Sequence, residues 1–380
     1  MRMSKVPSVA RHYLKIGIAP FLIGPTGVGK SSVPRAMCEE DGRRLVEFHL
    51  SYRSPTDIKG FPVPDRERHV MSWLPDERMR VDGPANFFLD ELPQSPATTQ
   101  AACYEWLLEK RIESWEMDQR PWTDGLPIQI IMCAGNPPGG GEFVHQMPPA
   151  LRSRVAFISV EPDLSDWCQW AMGAGIDNLV IGFLKFKARY GSGIESGPKE
   201  GGYGLLHWYD PSIHPLSFPT PRGWHRVSDL IKHAPALRDD GEAIGGIVSI
   251  PVGEQFVAYA KVAAKIPNAD AVIKGDLLIA PPGNESAVYA FCGALAGAVV
   301  RLPLQDRVNG FRVLCEYCMR WWGAEDGKAE FAALTMADLC RTKAFREIYM
   351  QLLSGNDGRT FPEWTAFTKR FGKMLGLSKE

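Results

Sequence analysis

The chain has 380 residues, 45% of them apolar and 23% charged, with 43 basic and 44 acidic side chains. That composition excludes a disordered or collagen-like chain, and the length favours two or three domains. A formal net charge of −1 gives no overall basic excess to hold the molecule on nucleic acid.

The N-terminal stretch MRMSKVPSVARHYLK has scattered charges and no apolar centre, so it does not read as a secretory signal. Residues 21–23, 45–50, 87–89, 128–134 and 155–160 are short apolar runs of strand length. Near-continuous runs of this kind suit strands buried on both faces of a parallel sheet. Helical patterns over 31–40 and 96–108 alternate with them, which predicts an α/β fold. After residue 160 the strand signal fades. Helices are predicted over 164–171, 179–190, 224–233 and 254–264, and residues 191–204 form the strongest loop candidate. From residue 267 the pattern stays mainly helical, broken by Pro281-Pro282-Gly283 and by residues 355–359. The longest charge-free apolar run, 287–300, falls short of the roughly 20 residues a membrane span needs and reads as a buried helix. The 8 cysteines lie far apart, which fits reduced thiols in the cytoplasm.

Gly24-Pro25-Thr26-Gly27-Val28-Gly29-Lys30-Ser31 spells G-x-x-x-x-G-K-S between a predicted strand and a predicted helix. Such a loop lets backbone N–H groups curl around phosphate oxygens, and the helix start adds partial positive charge. An incidental Gly-rich turn would lack that context. The stretch through Ser32 is the candidate nucleotide-binding segment, in which Lys30 would reach the β- and γ-phosphates and Ser31 would ligate Mg²⁺. Phe87-Phe88-Leu89-Asp90-Glu91 places two carboxylates at a strand end. Behind a phosphate loop, Asp90 suits a metal-positioning role and Glu91 a general base, although solvated acids also end many strands. The strand through Asn136-Pro137 would deliver an amide to the same sheet edge, or simply begin a turn. Arg152 and Arg154 precede the last strand, where an arginine offered to a neighbouring subunit can neutralise phosphoryl charge; a basic surface turn is the plainer alternative. Thr220-Pro221-Arg222 opens a helix beyond the sheet, with proline pre-setting φ.

In that order these elements resemble the AAA+ ATPases, and more narrowly the MoxR branch and its dynein-related relatives. The resemblance runs over roughly residues 5–265 and extends beyond the nucleotide motifs. Residues 54–63, 69–73 and Gly83-Pro84 are similar to the hairpin insert those proteins carry in their second helix. Residues 107–112 resemble the approach to the second family hairpin. The resemblance implies Walker A at Lys30 and Ser31, and Walker B at Asp90 and Glu91. It further implies sensor 1 at Asn136, an arginine finger at Arg154 and sensor 2 at Arg222. Two departures stand out: Cys133-Ala134-Gly135 precede Asn136 where Ala-Thr-x is usual, and Ser153 and Val155 flank Arg154 where Asp and Phe are usual. Arg152 therefore stays a rival finger.

Cys315-Glu316-Tyr317-Cys318 is a lone C-x-x-C. A zinc site needs four ligands, so two core-facing cysteines on a helix are the better reading. Trp321, Trp322, Trp364, Phe367 and Phe371 suit core packing more than a partner surface.

The expected architecture is therefore a P-loop NTPase α/β/α sandwich with a parallel sheet over residues 1–160. An α-helical lid over 161–265 and a helical C-terminal extension over 266–380 would follow. The expected reaction is Mg²⁺-dependent ATP hydrolysis. The resemblance implies a homo-hexameric ring that remodels or activates a client, often one with a von Willebrand factor A domain. A nucleic-acid motor or loader is the competing class, disfavoured by the charge balance and by the lack of a recognisable binding module. A nucleotide-gated scaffold that hardly turns over is the third, disfavoured by Glu91 and Asn136.

Overall fold

Alternation within the buried runs decides the layering. The computed structural model describes residues 1–138, 144–190, 204–209, 215–323, 328–340, 342–354 and 362–375. Nine strands lie among them: β1 (Ala19–Ile23), β2 (Arg44–His49), β3 (Phe61–Asp65), β4 (Val70–Leu74), β5 (Ala85–Asp90), β6 (Arg111–Ile112), β7 (Trp115–Glu116), β8 (Gln129–Gly135) and β9 (Val155–Ser159). Five form a parallel sheet in the order β2-β5-β8-β1-β9. The strands expected from the apolar runs are all present in it.

Successive side chains of a strand point to opposite faces. Phe21, Phe48, Phe87, Leu89 and Cys133 gather on one face with Trp106 and Leu107. Leu22, Phe88, Met132, Ala134 and Ile158 gather on the other with Val6, Ala10, Leu14, Val33 and Met37. The helices α1 (Val6–Lys15) and α2 (Ser32–Asp41) thus cover one face. The helices α3 (Pro55–Lys59), α4 (Ala97–Ala102), α5 (Tyr104–Glu109) and α6 (Pro149–Arg152) lie in the rest of this unit, with α4 and α5 covering the other face. The result is a three-layer α/β/α sandwich. The helix expected over 96–108 is two helices meeting at Cys103.

The chain divides into two compact units, and the sheet unit runs to Asp163. The second, from Leu164 on, is helical: α7 (Leu164–Gly173), α8 (Asn178–Tyr190), α9 (Pro221–His233), α10 (Gly241–Val248), α11 (Ile250–Ala263), α12 (Ala269–Ile273), α13 (Glu285–Arg301), α14 (Arg307–Trp322), α15 (Ala329–Cys340), α16 (Lys343–Ser354) and α17 (Pro362–Phe371). The run 287–300 is the buried body of α13, and no described helix is long and apolar enough to cross a membrane. Cys315 and Cys318 are both buried in the core around α14, beside Trp322, Phe367 and Phe371, with Trp321 and Trp364 packed against it. The loop expected over 191–204 falls, up to residue 203, outside the described residues, as does the break at 355–359.

Candidate functional site: one edge of the sheet

Parallel register brings residues far apart in sequence to one edge. Ile23 lies level with Gly135, Leu89 with Cys133, and His49 with Asp90. The segments that follow β1, β5 and β8 therefore leave the sheet side by side, at its C-terminal edge. Parallel α/β sheets place ligands there.

The loop after β1 passes so close to β9 that a Cβ at Gly24 would come within 2.4 Å of the Val160 carbonyl oxygen, so only glycine fits. Further along, Gly29 has φ +103°, which side-chain-bearing residues rarely adopt. The loop then enters α2 just after Ser31, whose side chain makes no capping hydrogen bond. Lys30 is buried, and its Nζ donates to the carbonyl oxygens of Gly24 (2.8 Å) and Pro25 (2.9 Å) and to Asn136 Oδ1 (2.5 Å). Ser31 Oγ donates to Asp90 Oδ2 at 2.7 Å. The loop is thus tied to the ends of β5 and β8 by two side-chain hydrogen bonds.

Glu91 follows Asp90 in the left-handed conformation, φ 58° and ψ 34°, and its own N–H donates to Asp90 Oδ1 at 3.0 Å. Its carboxylate Oε2 accepts a short hydrogen bond from Ser51 Oγ. Ser51 lies in the turn just after β2, and His49 Nδ1 of that strand is 3.9 Å from Asp90 Oδ2. Neither Ser51 nor His49 stood out in the sequence. Their signal is positional: each sits at the end of the strand that pairs with the acidic one.

Asn136 leaves β8 directly after Gly135. A Cβ at residue 135 would come within 2.2 Å of Pro93 Cδ. The departure Cys133-Ala134-Gly135 therefore has a local cause, the close passage of the 92–94 turn. Cys133 itself is fully buried, and burial pushes its thiol well above the ordinary range, so it stays protonated and unreactive.

The two arginines differ. Arg152 is exposed at the end of α6. Arg154 is half-buried, donates from Nη1 to Ala150 O (2.5 Å), and stacks its guanidinium 5.3 Å from the Tyr104 ring centre. Arg222 lies on the exposed side of α9 in the helical unit. Its helix is capped by Thr220, whose hydroxyl accepts from Gly223 N at 2.9 Å. Both expected hairpins are present: β3 pairs antiparallel with β4, and β6 with β7. Lys59 at the end of α3 bridges to Glu113 in the second turn at 3.1 Å.

The donor set fits the group that the loop implies. A hydroxyl and a carboxylate 2.7 Å apart are hard oxygen ligands of the kind Mg²⁺ prefers.

No family model matches the sequence, and no curated protein matches it. Among solved structures, the chain is similar to NtrX from Brucella abortus, with 15% identity over 87% of this chain and 67% of that one, at a TM-score of 0.33. It is also similar to a proposed ATPase from Cytophaga hutchinsonii, with 13% identity over 98% of this chain and 88% of that one, at a TM-score of 0.30. At these values neither likeness carries weight.

Proposed function

We propose that this chain is an AAA+ ATPase resembling the MoxR branch, which couples Mg²⁺-dependent ATP hydrolysis in a ring to remodelling or activation of a partner protein. The observation that carries the reading is the pair of hydrogen bonds from the loop, Ser31 to Asp90 and Lys30 to Asn136. They support it by joining the glycine-rich loop to Asp90 and Asn136 at one sheet edge, where Glu91 follows Asp90.

In this reading Lys30 and the loop of residues 24–32, through its backbone N–H groups other than at Pro25, would bind the phosphates, and Ser31 and Asp90 would hold the metal. Bound Mg²⁺ would supply charge neutralisation at the phosphate oxygens. Asn136 positions the attacking water. Glu91 accepts that water's proton on its carboxylate, which Ser51 orients through Oε2. Arg222, on α9, takes the sensor 2 role in this reading. A finger from the neighbouring subunit comes from the 152–154 turn, where Arg152 is the more exposed of the two arginines. A homo-hexamer in the cytoplasm acting on a client with a von Willebrand factor A domain is the assembly this reading favours.

The deciding experiment is steady-state ATP hydrolysis with and without Mg²⁺, followed by capture of partners on the ATP-trapped Glu91→Gln protein. Metal-dependent turnover with a captured client supports the reading. Absence of turnover, or salt-dependent DNA affinity in place of a protein client, would overturn it.

A further inference from the structure

Two apolar cores fill the helical unit. One gathers Phe183, Trp224 and Phe256 from α8, α9 and α11. The other gathers Phe291, Tyr317 and Phe331 from α13, α14 and α15. Helix α8 belongs to both. Its Phe183 faces the first core, with ring centres 5.5 Å from Trp224 and 5.3 Å from Phe256. Its Phe186 packs against both cores. At Gly182 the helices approach so closely that a Cβ would lie 3.2 Å from Ala290 Cα on α13.

Beside this crossing lies a buried ion pair. Lys185 Nζ on α8 meets Asp338 Oδ2 on α15, with side chains only 13% and 5% exposed. An apolar contact between helices tolerates small slips of register. A buried charge pair does not, because parting the charges leaves each desolvated without a partner. Such a pair adds little net stability over an apolar substitute, yet it penalises every alternative docking.

We propose that the C-terminal helices are an integral half of the lid, keyed to α8 by Lys185 and Asp338, so that helices α7 to α17 move as one body. The C-terminal helices then travel with α9 and its Arg222 instead of trailing as an appended domain. The driving of that movement by ATP rests on the reading above; the keying does not.

Hydrogen exchange followed by mass spectrometry on the full chain tests it without nucleotide. Asp338→Leu strands a buried ammonium, and peptides from α8 and α15 should both exchange roughly a hundredfold faster while β1, β5 and β8 keep their protection. Lys185→Met/Asp338→Leu removes both charges and should restore both helices to within a few-fold of the native rates. If the single variant does not fold, Asp338→Asn retains an acceptor, and α8 and α15 should loosen together by about tenfold. Loosening of α15 while α8 stays protected would overturn the proposal. So would a double variant no better protected than the single one. Lack of ATP turnover would defeat the ATPase reading and leave these exchange rates unchanged.

Discussion

Glu91 holds a backbone conformation that costs a residue with a Cβ about 1–2 kcal/mol. Two bonds hold it there: its own N–H to Asp90 Oδ1 at 3.0 Å, and the bond of Ser51 Oγ to its carboxylate. The backbone turns sharply so that adjacent side chains, Asp90 and Glu91, serve different partners, Ser31 and Ser51. The expected outcome for Glu91→Gln is unchanged nucleotide binding with turnover lowered about 10²–10⁴-fold, since an amide cannot accept the water's proton. Lys30→Ala should instead abolish binding, because it removes the charge at the loop. Equilibrium binding of a fluorescent nucleotide beside steady-state turnover separates the two; near-native hydrolysis by Glu91→Gln would refute the base assignment. Gly135→Ala tests the close passage of Pro93. An added methyl 2.2 Å from Pro93 Cδ must push the 92–94 turn away, at about 1–3 kcal/mol of stability. Asn136 should move with it, so both melting temperature and turnover should fall. A variant that is native in both would show that the turn yields freely.

Among the elements, α9 couples a local sequence signal to the proposed chemistry. Thr220 caps it, Pro221 opens it, and Trp224 anchors it with Nε1 donating to Leu205 O at 2.7 Å. Thr220→Ala should cost about 1 kcal/mol and fray the first turn, where Arg222 sits. A lower melting temperature of the helical unit with reduced turnover is the expected pair of results, and unchanged turnover would detach Arg222 from the chemistry. The opening of this helix is legible in Pro221, whose fixed φ suits a first turn, whereas the cap by Thr220 emerges only in the structure. The central strands β1, β5 and β8 are legible because burial on both faces writes a continuous apolar run, while the edge strands β2 and β9 are buried only in part. The division of 96–108 into α4 and α5 was not legible, because Cys103 is neither Gly nor Pro and the chain simply changes direction there. Helix α1 was not singled out either. Its buried face is only Val6, Ala10 and Leu14, interleaved with charged residues. The site divides along the same line. Lys30, Ser31, Asp90 and Asn136 announce themselves by motif. The contact of Ser51 with Glu91 depends on the pairing of β2 with β5, which no local pattern records.

At the scale of the whole molecule, the decisive question is whether one subunit completes the site of another. A P-loop domain alone hydrolyses slowly when nothing neutralises the charge on the transferred phosphoryl oxygens, and an arginine supplied there is worth about 10³–10⁵ in rate. Arg154 is engaged within its own subunit by Ala150 and Tyr104, whereas Arg152 is exposed two residues earlier. Turnover per subunit should therefore rise with protein concentration. Arg152→Ala and Arg154→Ala should each be tested alone and mixed with Lys30→Ala, at concentrations where rings form. Lys30→Ala subunits bind no nucleotide but still carry both arginines, so they can complete the intact pockets of finger-deficient neighbours. The variant that binds ATP normally, hydrolyses poorly alone and regains turnover in the mixture identifies the finger. Loss of turnover in Arg154→Ala that mixing does not mend would instead mark that residue as a support for Tyr104 and the start of β9. If neither mixture recovers, and turnover per subunit stays constant on dilution, the trans arginine fails and the ring mechanism with it.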